Sequence, residues 1–148
     1  MTRRYGQPPR QDIRYRHRPG VYAILPRAGR MLVTHQAAPE PEFQLPGGGI
    51  DAGESPLQAL HREVMEETGW IIATPLRLGA FRRFVYMPDY DIWAEKICLI
   101  FRARPVRALR APSEQGHSAH WMAPDRAARM LGNPGDRDFV ARSVCRAK

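Results

Sequence analysis

The stretch that most constrains this chain is residues 47–70, where three glycines lead into a helix whose two ends are both marked by the sequence. Ser55 is a strong N-cap, Pro56 suits the first helical position, and Gln58 completes a capping box with Ser55. Gly69 is the expected left-handed stop. Leu57, Leu60 and Val64 fall at i, i+3 and i+7, which predicts the core-facing stripe. Gly47–Gly49 predict a tight backbone path with bare amides and carbonyls close to a ligand.

The same stretch holds an island of negative charge. Asp51, Glu54, Glu63, Glu66 and Glu67 face one arginine, Arg62, while the whole chain carries a net +8. On a helix, Glu66 and Glu67 fall about 60° to one side and 40° to the other of Glu63. The three carboxylates share one arc beside the predicted core stripe, and Ala59 leaves room on that arc one turn earlier. Like charges at these spacings cost about 0.2–0.5 kcal/mol each on an exposed helix. A divalent cation removes that cost, and oxygen ligands without paired His or Cys suit Mg²⁺ or Mn²⁺ rather than zinc. Three glutamates alone are most often a solvated face. The neighbouring glycines, and Arg62 beside Glu63 as a bidentate partner, turn the balance toward a site.

Elsewhere the chain alternates strand and helix signals. Val21–Leu25 reads as a strand, with Met31–Thr34 as its hairpin partner across a Gly29 turn, and Phe43–Leu45 as a short strand. Residues 71–86 give one or two strands broken near Gly79. Pro88–Asp91 is a turn, Ala94–Arg104 a strand and Ser118–Met122 a shorter one. Pro124–Leu131 and Asp136–Arg146 read as helices, the last with acids first and Arg146 and Lys148 near its end. The order implies an α/β fold, a mixed sheet with helices packed on it.

At 148 residues and 43% hydrophobic content the chain can bury one real core. No apolar run is long enough for a spanning helix. Cys98 and Cys145 make no disulfide framework, so a soluble, reducing, cytoplasmic setting is expected. Residues 1–17 form a basic arm, with Arg3, Arg4, Arg10, Arg14 and Arg16 against Asp12, expected to be a loosely ordered tail. The excess of arginine points to polyanionic ligands such as nucleotides, with RNA as a second candidate.

Gly48, five residues, Glu54, seven residues and then Arg62-Glu63-Val64-Met65-Glu66-Glu67-Thr68-Gly69-Trp70 resembles the signature of the Nudix hydrolases. Every fixed position is filled, and Trp70 stands where that family usually has an aliphatic residue, a change expected to touch packing only. The strand order on both sides resembles the family's α/β/α sandwich, so residues 18–148 are expected to form the domain. The resemblance implies metal-dependent attack of water on a diphosphate linked to a nucleoside, with Mg²⁺ or Mn²⁺ as cofactor and a homodimer as a common assembly. It implies Glu63 and Glu67 as principal metal ligands, Glu66 as a ligand or metal-water partner, and the Gly48 carbonyl as a further oxygen. Arg62 would orient the glutamates and Glu54 would tie the loop to the helix. Glu63 is the favoured general base.

Glu114 is the best-placed further acid for the metals, with His117 and His120 as rivals for a base role. Arg82 and Arg83 are candidates for phosphate contact, and Tyr86, with Phe81, Phe84, Tyr90 and Trp93, for stacking on a base. Tyr86 and Pro88 lie in the window where relatives that split ADP-ribose or diadenosine polyphosphates differ, and favour neither. RNA 5′-pyrophosphohydrolase and dinucleoside polyphosphate hydrolase are the enzymatic alternatives. A nucleotide-binding regulatory module is the non-enzymatic one, disfavoured because every box acid is present.

Overall fold

The computed structural model describes residues 2–146. Lys148 and the side chain of Arg146 lie outside the described residues, so the predicted basic helix end is not seen. The fold is built on strand β2 (Arg16–Ile24), which is paired on both edges: in parallel with β8 (Ile92–Ala108) and antiparallel with β6 (Gly47–Gly49). β7 (Trp70–Met87) runs antiparallel to β8, and the two-residue β1 (Arg3–Arg4) adds to β7 in parallel. A second sheet joins β3 (Pro26–Arg27), β4 (Arg30–Gln36), β5 (Glu42–Gln44) and β9 (His117–Met122). The result is a mixed α/β sandwich, as the element order predicts.

A strand buried on both faces sends alternate side chains into different layers. Val21, Ala23, Phe101 and Ala103 pack under helix α1 (Pro56–Thr68), with Ala59, Leu60 and Val64. Ile24, Cys98 and Ile100 point the other way, against α2 (Pro124–Met130) and α3 (Pro134–Arg146), which supply Ala127, Phe139 and Val140. Among the described residues no helix is long and apolar enough to cross a membrane. In the N-terminal segment, the Tyr5 amide donates to the Arg82 carbonyl at 3.0 Å, its ring meets Phe81 edge to face, and its hydroxyl bonds Asp138.

Helix α1 forms as its sequence dictates. The Gln58 amide donates to the Ser55 hydroxyl at 3.1 Å, and the Ser55 amide donates to the Gln58 side chain at 2.9 Å. Gly69 closes the helix at φ 76°, and a Cβ there would lie 1.8 Å from the Arg110 carbonyl oxygen. The chain that returns from β8 therefore runs directly over the helix end.

Four expectations need correcting. Leu57 is 44% exposed, and Ala59, fully buried, packs in the core beside Leu60 and Val64 in its place. Ala59 is thus not open space on the acid arc. In the hairpin across Ala28 and Gly29, Met31 pairs with Pro26 and the Leu32 amide donates to the Leu25 carbonyl at 3.0 Å, but the main partner of Met31–Thr34 is β9, because the edges of β2 are taken by β6 and β8. The break near Gly79 is a set of register shifts inside one 18-residue strand.

The two leucines give the test. Leu60→Ala removes a fully buried side chain and is expected to cost about 2–5 kcal/mol in denaturant unfolding, whereas Leu57→Ala should stay within about 0.5 kcal/mol.

Candidate active site

One arginine gathers most of the predicted acids. Arg62 donates to Glu54 through Nε at 2.7 Å and Nη2 at 2.9 Å, a bidentate pair. Its Nη1 reaches Glu63 at 2.9 Å and Glu66 at 3.3 Å, and Nη2 also donates to the Gly49 carbonyl at 3.0 Å. Glu54 accepts in addition from the Asp51 amide at 3.0 Å, so it links the loop before the helix to the helix itself. The bonds from Arg62, then from the Asp51 amide, hold the Glu54 carboxyl down to about 2. The same partners raise the Arg62 guanidinium further above its ordinary value, Glu54 foremost. Arg62 is therefore a permanent cation fixed behind the acids.

Glu67 points inward and is only 4% exposed. One carboxyl oxygen accepts from the Gly47 amide at 2.8 Å, and the other lies 3.4 Å from His117 Nε2. Glu114 joins them, and the ligating atoms of Glu67, Glu114 and His117 all lie within 4.8 Å of one another. Two main-chain bonds bring Glu114 there, since the Ser113 and Glu114 amides donate to the Glu66 carbonyl at 2.9 and 3.1 Å. This carbonyl is an orphan of the last helical turn, so satisfying it places the loop. Burial, against the Gly47 amide and reinforced by Glu114 and Glu63, pushes the Glu67 carboxyl up to about 9. Burial also raises Glu63, opposed by Arg62. Without a cation, a proton must neutralise this cluster. Carboxylates with one imidazole form a hard donor set that fits Mg²⁺ or Mn²⁺.

The glycines make this geometry sterically possible. A Cβ on Gly47 would sit 2.0 Å from the Val21 carbonyl oxygen, and one on Gly48 would sit 2.5 Å from the Glu63 carboxyl carbon. A side chain at Gly47 would push the strand off β2, and one at Gly48 would displace the Glu63 carboxyl.

The acids open onto a cleft of about 410 Å³. Glu63, Glu67, Glu114 and His117 line one part of it, and Arg18, Arg83 and Lys96 another. Strand alternation sorts the predicted substrate contacts. Arg83 lines the cleft, but Arg82 turns to the other face toward Glu95, and exposed Tyr86 bonds Asp91 and packs on Trp93. Glu66 stays on the Arg62 side, outside the cluster around Glu67. His120 bonds Ser118. Tyr90 does reach the cleft wall, with Arg18 stacked 4.8 Å over its ring.

Asp136 was missed as a site residue. In sequence it reads as an ordinary first-turn acid of the last helix, and only the packing of α3 brings it to the cleft. It is 4% exposed, and its Oδ1 has no hydrogen-bond partner among the described residues. Burial pushes its carboxyl up to about 7, against the pull of Arg83, Lys96 and the Leu45 amide and with the push of Glu42.

The family model described as NUDIX domain matches residues 15–143. An RNA pyrophosphohydrolase of Helicobacter pylori is 44% identical over 59 residues, 36% of this chain and 38% of the relative. A putative 8-oxo-dGTP diphosphatase of Bacillus subtilis is 33% identical over 74 residues, half of each chain. These matches span about two fifths to one half of the relatives' lengths. A crystal structure of the MutT protein from Methanosarcina mazei superposes with a TM-score of 0.71 at 21% identity, covering 93% of this chain and 99% of that one, a likeness of fold.

The buried Asp136 carries a pH signature. Its value of about 7 in the fold, against an ordinary 3.8, favours the protonated form, so its burial costs nothing below pH 4 and costs most above pH 7. Asp136→Asn should leave thermal stability unchanged at pH 4. At pH 8 it should raise the stability of the metal-free protein by up to roughly 4 kcal/mol, the equivalent of the shift. A difference between the two proteins that does not grow with pH would refute the assignment.

Proposed function

The chain belongs to the NUDIX family, and from that premise we propose that it hydrolyses the diphosphate of a nucleoside diphosphate linked to a further group, with Mg²⁺ or Mn²⁺ as cofactor. The observation that carries this reading is the buried Glu67 carboxyl, crowded by Glu63 and Glu114 in a cleft that Arg18, Arg83 and Lys96 also line. Such a cluster is poorly stable with protons removed unless a cation takes their place.

Glu63 and Glu67 are assigned as the principal metal ligands, with Glu114 and the Gly48 carbonyl as further oxygens and Glu66 as a partner through water. The bound cation supplies charge neutralisation of the diphosphate and acidification of the attacking water. Arg62 holds Glu63 at a fixed rotamer, and the Gly47 amide does the same for Glu67. Glu63 accepts the water's proton, and the burial that raises its carboxyl above the ordinary value makes it a stronger base. Arg83, Lys96 and Arg18 meet the phosphates on the far side of the cleft. The Oδ1 of Asp136, without a hydrogen-bond partner among the described residues, takes an N–H of the substrate's base.

A second reading is favoured by a specific finding. Several relatives bear the name RNA pyrophosphohydrolase, so a 5′-phosphorylated RNA is the alternative substrate for the same cleft. The same acids and cations would serve it.

Pyrophosphate or phosphate release across nucleoside triphosphates, ADP-ribose, NADH, diadenosine polyphosphates and 5′-triphosphorylated RNA, with and without Mg²⁺, tests both readings. Glu67→Gln should lower turnover by at least about 10³-fold. In EDTA the same variant should melt no lower than wild type, because a neutral amide replaces a carboxyl that the fold prefers neutral. Near-normal turnover of Glu67→Gln at saturating Mg²⁺ would falsify the metal assignment.

A further inference from the structure

Trp70, the one box position that departs from the family pattern, borders a second recess. This recess has a volume of about 390 Å³ and is lined by Arg27, Ala28, Arg30, Trp70 and Trp121, none of which lines the acid cleft. Trp70 and Trp121 meet edge to face, with centroids 5.3 Å apart and planes at 80°, and both are half-buried. Half of each indole is thus spent on the core, and the rest faces the recess. The Arg27 guanidinium lies 5.0 Å over the Trp70 ring and is anchored by a 2.9 Å bond from Nη1 to the Val106 carbonyl.

The second observation is electrostatic. Arg27 and Arg30 are directly opposite each other in the β3–β4 hairpin, across a turn in which Ala28 and Gly29 both have positive φ. Like charges in that position destabilise a hairpin. Among the described residues neither arginine has a carboxylate within ion-pair distance. Both are exposed. Two cations without a carboxylate partner beside two indoles match a ligand that joins a flat ring to a negative charge.

We propose that this recess is a nucleotide-binding site separate from the acid cleft, with a base against Trp70 and Trp121 and its phosphate on Arg27 and Arg30. The nucleotide is either free or one unit of an RNA strand, since both present the same base and phosphate. The recess abuts both elements that carry the acid cluster. Trp70 follows the Gly69 cap of α1, and Trp121 shares β9 with His117.

The chain has three tryptophans, and Trp93 lies apart, against Tyr15 and Tyr86. Trp93→Phe therefore leaves the two recess indoles as reporters, with wild type as the control for that substitution. The full chain is titrated in EDTA with AMP and with a 5′-hydroxyl oligoadenylate RNA, neither of which contains a diphosphate. Saturable quenching is expected, and Arg27→Ala and Arg30→Ala should each weaken it by at least about tenfold. Arg30 makes no side-chain hydrogen bond among the described residues, so its removal tests the charge without disturbing packing. Equal affinity for the two probes assigns a free nucleotide. Much tighter RNA binding that falls steeply with salt assigns a strand. No saturable quenching by either probe overturns the proposal, as does quenching unchanged in both arginine variants or lost in Glu67→Gln. Because metal is absent throughout, the result is independent of whether the cleft hydrolyses anything.

Discussion

The strand Gly47–Gly49 lies between β2 and α1 at a separation that only hydrogen atoms fill. That close approach is the constraint on which the rest of the site depends. It brings the Gly47 amide onto Glu67 and the Gly49 carbonyl onto Arg62, so the strand and the helix are joined through their functional side chains. A Cβ at the first position would strike the backbone of β2, and one at the second would displace the Glu63 carboxyl. The burial that raises the Glu67 carboxyl follows from the same closeness. Folding energy is thereby stored as a charge cluster that a cation relieves.

Around this contact the charges divide by element. Arg62 sits behind the acids with Glu54 and Asp51, and keeps the helix and its leading loop in one piece. Glu114 arrives from a distant loop only because the last turn of α1 leaves the Glu66 carbonyl free to accept two amides. The cationic part of the cleft comes from β2, β7 and β8, whose cleft-facing side chains include Arg18, Arg83 and Lys96. The acids around Glu67 and these cations line the same cleft, so it presents charges of both signs.

Much of this was legible in the chain. The capped helix, its left-handed stop, the acid arc and the arginine that serves it follow from residue types at fixed spacings. Local hydrogen bonding and helix periodicity do not need the rest of the fold. Leu57 and Ala59 show where periodicity falls short, since a stripe says which residues can face a sheet but not how the helix axis lies over it. Arg82 and Arg83 are indistinguishable in sequence, and strand register alone sends one to the cleft and the other to Glu95.

What the sequence by itself determined is the element order, the mixed α/β class, the family, and Arg62 as the partner of the box acids Glu54, Glu63 and Glu66. What only the tertiary structure decided is the company they keep. Glu114 and His117 come to Glu67 from some fifty residues away, and Asp136 loses its solvent when α3 packs beside the cleft. The Trp70–Trp121 recess likewise exists only where β7 and β9 meet beside the β3–β4 turn. The physical reason is the same in each case. Spacing along a chain fixes neighbours within one helix or strand, whereas burial and electrostatic coupling depend on distances that are set when separate elements pack.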